Sequence, residues 1–392
     1  MQVPSAVNHV PRTIGLCFLT ALFEGLDIQS MGVAAPKLAP AFHLGPGRLG
    51  IVMSASTFGL MLGAAAGGWL SDRLGRKSVI VASMIALGLF SLATTVAGAV
   101  PDLVLIRICA GLGLGGAFPT LIALVSEVSS AKSRVTALAC MYCGLPIGGA
   151  VAGLLVALAP ADWRYVFYVG GVGPLCLAPI LALYLVRPAS MGGPDSSSAS
   201  PLSISEIFGS RTATTLLLWT AYFFTLLVVY LLLNWLPSLM LGHGYSHSQA
   251  SVSSVALNSG AVIGSLILGY ASDRSRPAAV LSVTYAGMIV SLLILASPLR
   301  ATFLLGAFAA GFFVIGGQLV LYAIAPTLYP RTVSGTGVGA AVSVGRIGSI
   351  VGPLIGGSLL AGGLGPSIVP AAAIPGLAIA LISLLWLLRL RA

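Results

Sequence analysis

Twelve apolar stretches, each about 20 residues long, constrain this 392-residue chain more than any other feature of its sequence. A stretch of that length crosses the hydrocarbon core of a bilayer as a helix. Only 7% of all residues are charged and 57% are hydrophobic, which excludes a soluble enzyme or a nucleic-acid-binding module. The sequence therefore predicts an all-α integral membrane protein with twelve transmembrane helices, at 13–33, 49–70, 79–99, 103–125, 135–158, 164–186, 212–236, 250–270, 278–297, 302–325, 334–360 and 367–388.

The basic residues predict the orientation of these spans. An even number of spans places both termini on the same side of the membrane. Assigned to alternate loops, thirteen of the 19 basic residues fall on the side of the termini and four on the other. Because cytoplasmic loops are enriched in Lys and Arg, we expect a multi-pass protein of the cell (inner) membrane with both termini in the cytoplasm.

The longest polar segment divides the spans into six and six. Residues 187–211 include M-G-G-P-D-S-S-S-A-S-P, which is typical of a flexible linker. We therefore expect an N-terminal six-helix bundle at 1–186, a cytoplasmic linker at 187–211 and a C-terminal six-helix bundle at 212–392.

The two halves repeat several short motifs. G-W-L-S-D-R-L-G-R-K begins at residue 68 and G-Y-A-S-D-R-S-R at residue 269, while a Gly-Gly pair at 115–116 returns at 316–317. P-I-G-G at 146–149 has its counterpart in P-L-I-G-G at 353–357. Two pseudo-symmetric bundles are typical of a rocking transporter, whose binding site lies between the halves near the middle of the membrane.

These motifs also support a family resemblance across nearly the whole chain. G-x-L-x-D-R-x-G-R-K and the R-x-x-x-G-x-G-x-G run from Arg107 resemble signatures of the major facilitator superfamily. E-G-L-D at 24–27, M-Y-C-G-L-P-I-G-G at 141–149, Y-F-F-T-L-L-V-V-Y at 222–230 and G-T-G-V-G-A-A-V-S-V-G-R-I-G at 335–348 resemble its aromatic acid:proton symporters, and among these the 3-(3-hydroxyphenyl)propionate transporters. Two departures are Glu24, where that family usually has Asp, and Arg276-Pro277, where a G-R-K would continue.

The resemblance implies the major facilitator fold and alternating access. It also implies proton-driven import of an aromatic carboxylate, such as a hydroxyphenylpropionate or a hydroxybenzoate, for aromatic hydrocarbon catabolism. Two alternatives stay open on the same fold: efflux of small organic compounds by proton antiport, and a ligand sensor that does not transport.

Ionisable residues inside a membrane are costly and therefore indicate function. Glu24 and Arg346 belong to opposite halves, and each lies near the middle of its span. We expect the Arg346 guanidinium to bind the substrate carboxylate and Glu24 to carry the coupled proton, with the two side chains meeting in a shared central chamber. The alternative is a structural ion pair that holds the halves together. Asp27, one turn from Glu24, would share the proton or orient its neighbour.

Arg107 allows two interpretations. It lies about four residues into its predicted span from the outer side, so its side chain could extend to the lipid headgroups. The resemblance to the fourth-helix motif instead implies a role in proton coupling.

Aromatic and amide side chains with helical spacing predict the wall of a binding site. Tyr230 and Asn234 are four residues apart, as are Gln318 and Tyr322, so each pair shares a helix face. Such faces would suit a phenolic ring. The alternative is packing and interface anchoring, which membrane aromatics also provide.

Charged residues at the cytoplasmic mouth are candidates for gating. Loop charges can simply set topology, but here acidic and basic side chains could pair when that side closes and separate when it opens. The family resemblance supports this role for Asp72, Gly75 and Arg76. The full predicted set is Asp72, Arg73, Gly75, Arg76, Lys77, Glu127, Arg134, Asp273 and Arg274.

No motif indicates a cofactor, a metal or an enzyme. The dinucleotide-like glycines at 111–116 lie inside a membrane span, and no G-x-x-x-x-G-K-[ST] occurs. The five cysteines are expected to be buried free thiols, since no spacing suits zinc. The expected partners are a small aromatic carboxylate, protons and membrane lipid, without nucleic acid. A monomer is favoured, although the sequence does not determine the oligomeric state.

Overall fold

The computed structural model describes residues 9–130, 134–158, 162–185, 212–297, 302–329 and 334–389. Within these ranges every regular element is helical, and twelve helices are long and apolar enough to cross a membrane. The predicted all-α fold and its twelve spans are therefore confirmed. The helices are α1 (His9–Ala41), α2 (Pro46–Leu74), α3 (Arg76–Thr94), α4 (Val100–Val128), α5 (Arg134–Tyr142 and Gly144–Leu158), α6 (Tyr165–Tyr184), α7 (Thr212–Gly242), α8 (His247–Arg274), α9 (Pro277–Ala296), α10 (Phe303–Ala310, Gly311–Ile315 and Gly316–Ile324), α11 (Ser334–Ala361) and α12 (Ile368–Arg389).

α1 and α7 extend furthest past their predicted ends. α1 continues through Pro36 and Pro40 to Ala41, and α7 continues through Pro237 to Gly242. The predicted ends at 33 and 236 were wrong, since both helices continue through the prolines that follow. A proline removes one backbone hydrogen bond and bends a helix, but neighbouring helices allow membrane helices to continue through it.

Contacts between helices divide the chain into two compact units. The first contains Met1–His43 and Ala55–Gly192, and the second contains Leu44–Ser54 and Gly193–Ala392. In the first unit α1 packs on α5, while in the second α7 packs on α11. The predicted linker at 187–211 lies outside the described residues, and the domain limits that it was used to define stay a prediction.

Close glycine contacts occur at equivalent positions inside each of the two units. In the first unit, a Cβ on Gly59 would overlap the carbonyl oxygen of Ile108, so α2 and α4 approach closely at this point. In the second unit, a Cβ on Gly260 would overlap the carbonyl oxygen of Phe308 between α8 and α10. Small residues permit such close backbone packing in membranes. The sequence repeat is therefore also a repeat of helix packing.

α10 contains one residue more than its counterpart at this contact. Gly111 and Gly115 of α4 both face α2 and are four residues apart, whereas Gly311 and Gly316 of α10 both face α8 and are five apart. The segment Gly311–Ile315 is a π-helical turn, which accommodates an inserted residue without rotating the later turns of the helix. Gln318 and later residues of α10 therefore keep the register of the repeat.

α5 is interrupted where α11 is continuous. Its two segments end at Tyr142 and begin at Gly144. Pro146 has no N–H to donate to the carbonyl four residues before it, which favours the break at this point. Pro353 also lies inside a helix, but α11 runs unbroken, and the Pro353 carbonyl accepts a hydrogen bond from Trp235 Nε1 at 2.9 Å.

Candidate functional site

A buried ion pair joins α1 and α4 in the first unit. Arg107 Nη1 donates to Asp27 Oδ1 at 3.0 Å, and Nη2 donates to Oδ2 at 2.8 Å. Arg107 Nε donates to Ser56 Oγ on α2 at 2.7 Å. Both charged side chains are 0% exposed, and the guanidinium carbon also lies 5.6 Å from the centroid of the Phe167 ring. Two parallel hydrogen bonds of this kind are among the strongest interactions that a carboxylate and a guanidinium form.

The interpretation that the Arg107 side chain extends to the lipid headgroups is wrong. α4 begins at Val100, three residues earlier than predicted, so Arg107 lies deeper in the helix. Its side chain points into the unit because Asp27 compensates its charge there. A buried charge in a membrane protein is stable when it is paired in this way. Its implied role in proton coupling stays a prediction.

Glu24 lies near the middle of the 33-residue helix α1. Its side chain is 2% exposed, and it stands one turn before Asp27 on the same helix. α1 therefore carries two buried carboxylates one turn apart, Glu24 and Asp27, and Asp27 is bound by a guanidinium.

Arg346 of α11 lies among polar aromatic side chains in the second unit. Its Nη1 atom donates to the Tyr230 hydroxyl of α7 at 2.9 Å. Tyr322 of α10 lies near Arg346, and its hydroxyl accepts a hydrogen bond from Gln318 Nε2 at 2.9 Å. Four of the five residues predicted to bind substrate thus come together from three helices.

Asn234, the fifth residue, lies at the edge of this group. Its Nδ2 atom donates to the Tyr230 carbonyl oxygen of its own helix at 2.8 Å, and the side chain is buried. Tyr222 of α7 contacts the same group. Its ring centroid lies 5.5 Å from that of Tyr322, which positions the Tyr322 ring. The aromatic run at 222–230 was the sequence signal for this contact.

The predicted gating residues are described in part. Arg76 pairs with Glu127 between the start of α3 and the end of α4, and both side chains are partly exposed. Gly75 has a φ of 83°, which favours glycine at this turn between α2 and α3. Arg73 is exposed and Lys77 half-buried in the same region. The side chains of Asp72, Arg134 and Asp273 lie outside the part of the structure that is described.

The second unit has different contacts at the corresponding positions. The Arg274 guanidinium carbon lies 4.0 Å from the centroid of the Tyr270 ring, one turn earlier on α8. Outside the spans, Tyr329 donates a hydrogen bond to Thr215 Oγ1 at 3.2 Å, near the start of α7. Burial raises the pKa of the Tyr329 hydroxyl, and this hydrogen bond partly opposes the rise.

Among the described residues, no group of three or more His, Cys, Asp or Glu side chains is placed to hold a metal ion. The cysteines are free, but the prediction that all five are buried is wrong, since Cys140 and Cys176 are exposed. Apolar surroundings in a membrane sequence do not imply burial in protein, because the lipid-facing surface is apolar as well.

Comparisons with known proteins agree with this architecture. The chain matches the sequence profile of the Major Facilitator Superfamily over residues 17–264 and again over residues 218–392. It is similar to the 3-(3-hydroxyphenyl)propionate transporter of Escherichia coli K12, with 48% identity over 379 residues that cover 96% of this chain and 93% of that protein. The 4-hydroxybenzoate transporter of Pseudomonas aeruginosa is 34% identical, covering 93% of this chain and 90% of its own.

A solved structure resembles the fold. The crystal structure of a D-xylose-proton symporter matches with a TM-score of 0.81, covering 96% of this chain and 97% of that chain, at 16% identity. At this identity the likeness concerns the fold alone. The two relatives from Escherichia coli and Pseudomonas aeruginosa are named transporters, not enzymes. The chain is thus a multi-pass membrane protein that belongs to the Major Facilitator Superfamily.

Proposed function

We propose that this protein imports an aromatic carboxylate together with one or more protons, by alternating access in the inner membrane. The observation that carries the proposal is the 48% identity, over 96% of the chain, to a protein named a 3-(3-hydroxyphenyl)propionate transporter. The more distant 4-hydroxybenzoate transporter supports the same substrate class, an aromatic ring bearing a carboxylate.

Arg346 is our candidate for the carboxylate-binding residue. A guanidinium presents planar N–H donors that match the two oxygens of a carboxylate. The contact with Tyr230 at 2.9 Å orients the guanidinium from α7. Gln318 and Tyr322 add an amide and a phenol to the same group of side chains, which suits a substrate with both a ring and polar substituents.

Glu24 is our candidate for the proton carrier. Asp27 is held by Arg107 through two hydrogen bonds, so its negative charge is compensated inside the unit. We therefore assign Asp27 and Arg107 to an ion pair that shapes the environment of Glu24. Protonation and release at Glu24 would then couple the proton gradient to the conformational change. The proton-coupling set remains Glu24, Asp27 and Arg107, with Glu24 as the carrier.

Co-transport of protons has an energetic reason. An anion that enters against an inside-negative potential meets an opposing energy of about 2.3 kcal/mol per charge for each 100 mV. One proton per carboxylate cancels that charge. A second proton would make the membrane potential drive uptake. Import of an anionic aromatic acid is therefore favourable when it is coupled to protons.

The Arg76–Glu127 pair is our candidate for a cytoplasmic latch. We place the loop between α2 and α3 in the cytoplasm, together with both termini, on the basis of the basic-residue asymmetry. The pair connects the start of α3 to the end of α4, so its formation and loss would accompany closing and opening on that side. Gly75, Arg73 and Lys77 belong to the same predicted gating region, with Arg274 as the counterpart in the second half.

Counterflow in proteoliposomes tests the proposal directly. Vesicles loaded with an unlabelled acid should accumulate the labelled acid transiently, and a panel of benzoates, cinnamates and phenylpropionates would identify the substrate. Empty vesicles and the Arg346→Ala variant are the controls. If no aromatic carboxylate in the panel exchanges through correctly inserted protein, the proposed function is wrong. Binding without exchange would instead indicate a sensor.

A further inference from the structure

An aromatic ring of α6 faces the buried Arg107 cation of the first unit. The guanidinium carbon lies over the ring of Phe167, 5.6 Å from its centroid, which is inside the distance of about 6 Å at which a ring attracts a cation. The face of the ring carries a negative electrostatic potential, and the attraction is stronger where water is excluded. Both side chains are fully buried, so the ring stabilises the Arg107 cation in addition to Asp27.

The partners of Arg107 respond differently to a proton. Its bonds to the Asp27 carboxylate weaken if that carboxylate becomes neutral, because the bonds between charged groups are the strong ones. The bond to Ser56 and the contact with Phe167 involve no group that gains a proton. The ring is therefore a partner whose attraction for the cation persists whichever buried carboxylate of α1 is protonated.

Phe167 is oriented by other aromatic rings. The ring centroids of Trp163 and Phe167 lie 5.8 Å apart with an interplanar angle of 78°, an edge-to-face contact. Trp163 in turn contacts Phe42, directly after α1, at 5.9 Å and 61°. Trp163 is buried, and edge-to-face contacts favour one orientation of the two rings. The ring that faces Arg107 is thus held by a second, buried ring.

Polar contacts fix the start of α6, which carries Phe167. The Phe167 carbonyl oxygen accepts a hydrogen bond from Ser91 Oγ of α3 at 3.4 Å. Arg164, directly before α6, donates from Nε to the Thr95 carbonyl oxygen at the end of α3 at 2.9 Å. The start of α6 is therefore bound to α3, and the ring has a fixed position beside α4.

We propose that Phe167 is a positioning residue for proton coupling, whose ring holds the Arg107 cation in place while a proton binds to and leaves the buried carboxylates of α1. The proposal rests on the proposed function, in which Arg107 belongs to the proton-coupling set. A buried cation whose anionic partner becomes neutral is left without compensation, which is costly. The ring lowers this cost. Weakening its potential should therefore impair proton-driven uptake more than exchange, which moves no net proton.

Fluorinated phenylalanines test the contact at nearly constant shape. Ring fluorines withdraw electrons, so each added fluorine weakens the negative potential of the ring face. We introduce 4-fluoro-, 3,5-difluoro- and 3,4,5-trifluorophenylalanine at position 167 by nonsense suppression and measure uptake of labelled 3-(3-hydroxyphenyl)propionate in proteoliposomes. The initial rate of proton-driven uptake should fall stepwise, by about tenfold for the trifluoro ring, which corresponds to about 1.4 kcal/mol. Counterflow should keep its wild-type rate.

Unfolding by SDS titration tests the contact without any transport. The midpoint SDS fraction should fall along the fluorine series in protein that contains Arg107. It should stay constant along the series in the Asp27→Asn/Arg107→Met double variant, which has no cation beside the ring. Phe58 is the matched control: it belongs to α2 of the same unit and is 41% exposed, so its fluorination should change neither midpoint nor uptake.

Three results would overturn the inference. A midpoint that is constant along the series, or that falls equally in the double variant, would contradict the attraction between ring and cation. Counterflow that falls in parallel with proton-driven uptake would indicate a structural role only. If wild-type protein neither accumulates nor exchanges an aromatic acid, the proposed function fails and the positioning role fails with it, while the unfolding series still decides whether the ring holds the cation.

Discussion

Replacing Asp27 with asparagine should strongly destabilise the first unit. Both members of the Asp27–Arg107 pair are 0% exposed, and the guanidinium makes two short hydrogen bonds to the carboxylate. Removing one partner of such a pair leaves an uncompensated buried charge, which costs about 3–5 kcal/mol. Arg107→Met should have an effect of the same size, because it leaves the Asp27 carboxylate buried without its guanidinium.

The double variant separates the interaction energy of the Asp27–Arg107 pair from the general cost of substituting either residue. Asp27→Asn combined with Arg107→Met leaves no buried charge at this position. The free-energy losses should therefore be non-additive. The double variant should lose about 2–3 kcal/mol less than the sum of the two single losses. Unfolding by SDS titration in mixed dodecyl maltoside micelles, followed by tryptophan fluorescence, measures all three variants.

An exposed ion pair of the same unit provides the control. Arg164 Nη1 lies 3.6 Å from Asp162 Oδ1, and the two side chains are 43% and 45% exposed. Asp162→Asn should therefore cost less than about 1 kcal/mol. Losses that add within about 0.5 kcal/mol, or single variants no less stable than Asp162→Asn, would refute the assignment of Asp27 and Arg107 as a coupled buried pair.

Three other residues allow predictions of their own. Arg346→Ala should abolish uptake and Arg346→Lys should restore little, because an ammonium lacks the planar fork of donors; normal uptake of a carboxylate by inserted Arg346→Ala protein would contradict this, as measured with labelled substrate. Glu24→Gln should stop proton-driven accumulation but retain counterflow, and proton-dependent accumulation at the wild-type level would reassign the proton site. Gly63→Ala should destabilise the protein by about 1–3 kcal/mol, because the new Cβ would overlap the Leu112 carbonyl oxygen. Gly15→Ala is its control, since no neighbour lies within 4 Å of that position, and equal stability of the two variants by SDS titration would count against the close α2–α4 contact.

Most of the fold could be predicted from the sequence because a membrane helix carries a strong local signal. About 20 apolar residues in a row identify a span, and the motif repeat indicates two related halves. The ends of α1 and α7 could not be placed, since Pro36 and Pro237 lie inside helices that continue past them. Hydropathy reports only the solvent preference of each residue. It does not locate helix ends, because these depend also on packing against neighbouring helices.

The site was predicted less completely because its contacts are distant in sequence. Asp27 and Arg107 are 80 residues apart, and neither residue indicates its partner. Ser56, which accepts from Arg107 Nε, is one serine among many and carried no signal of its own. The extra residue of α10 could have been found by comparing the glycine spacings at 111–115 and 311–316, which differ by one.

The direction of proton movement tests the central claim most directly. An aromatic acid is added to lightly buffered proteoliposomes, and external pH is recorded together with uptake of the labelled acid. We predict that the external medium becomes alkaline as the acid enters, and that Glu24→Gln protein retains exchange without this pH change. Uptake without a pH change, or acidification of the external medium, would contradict proton symport.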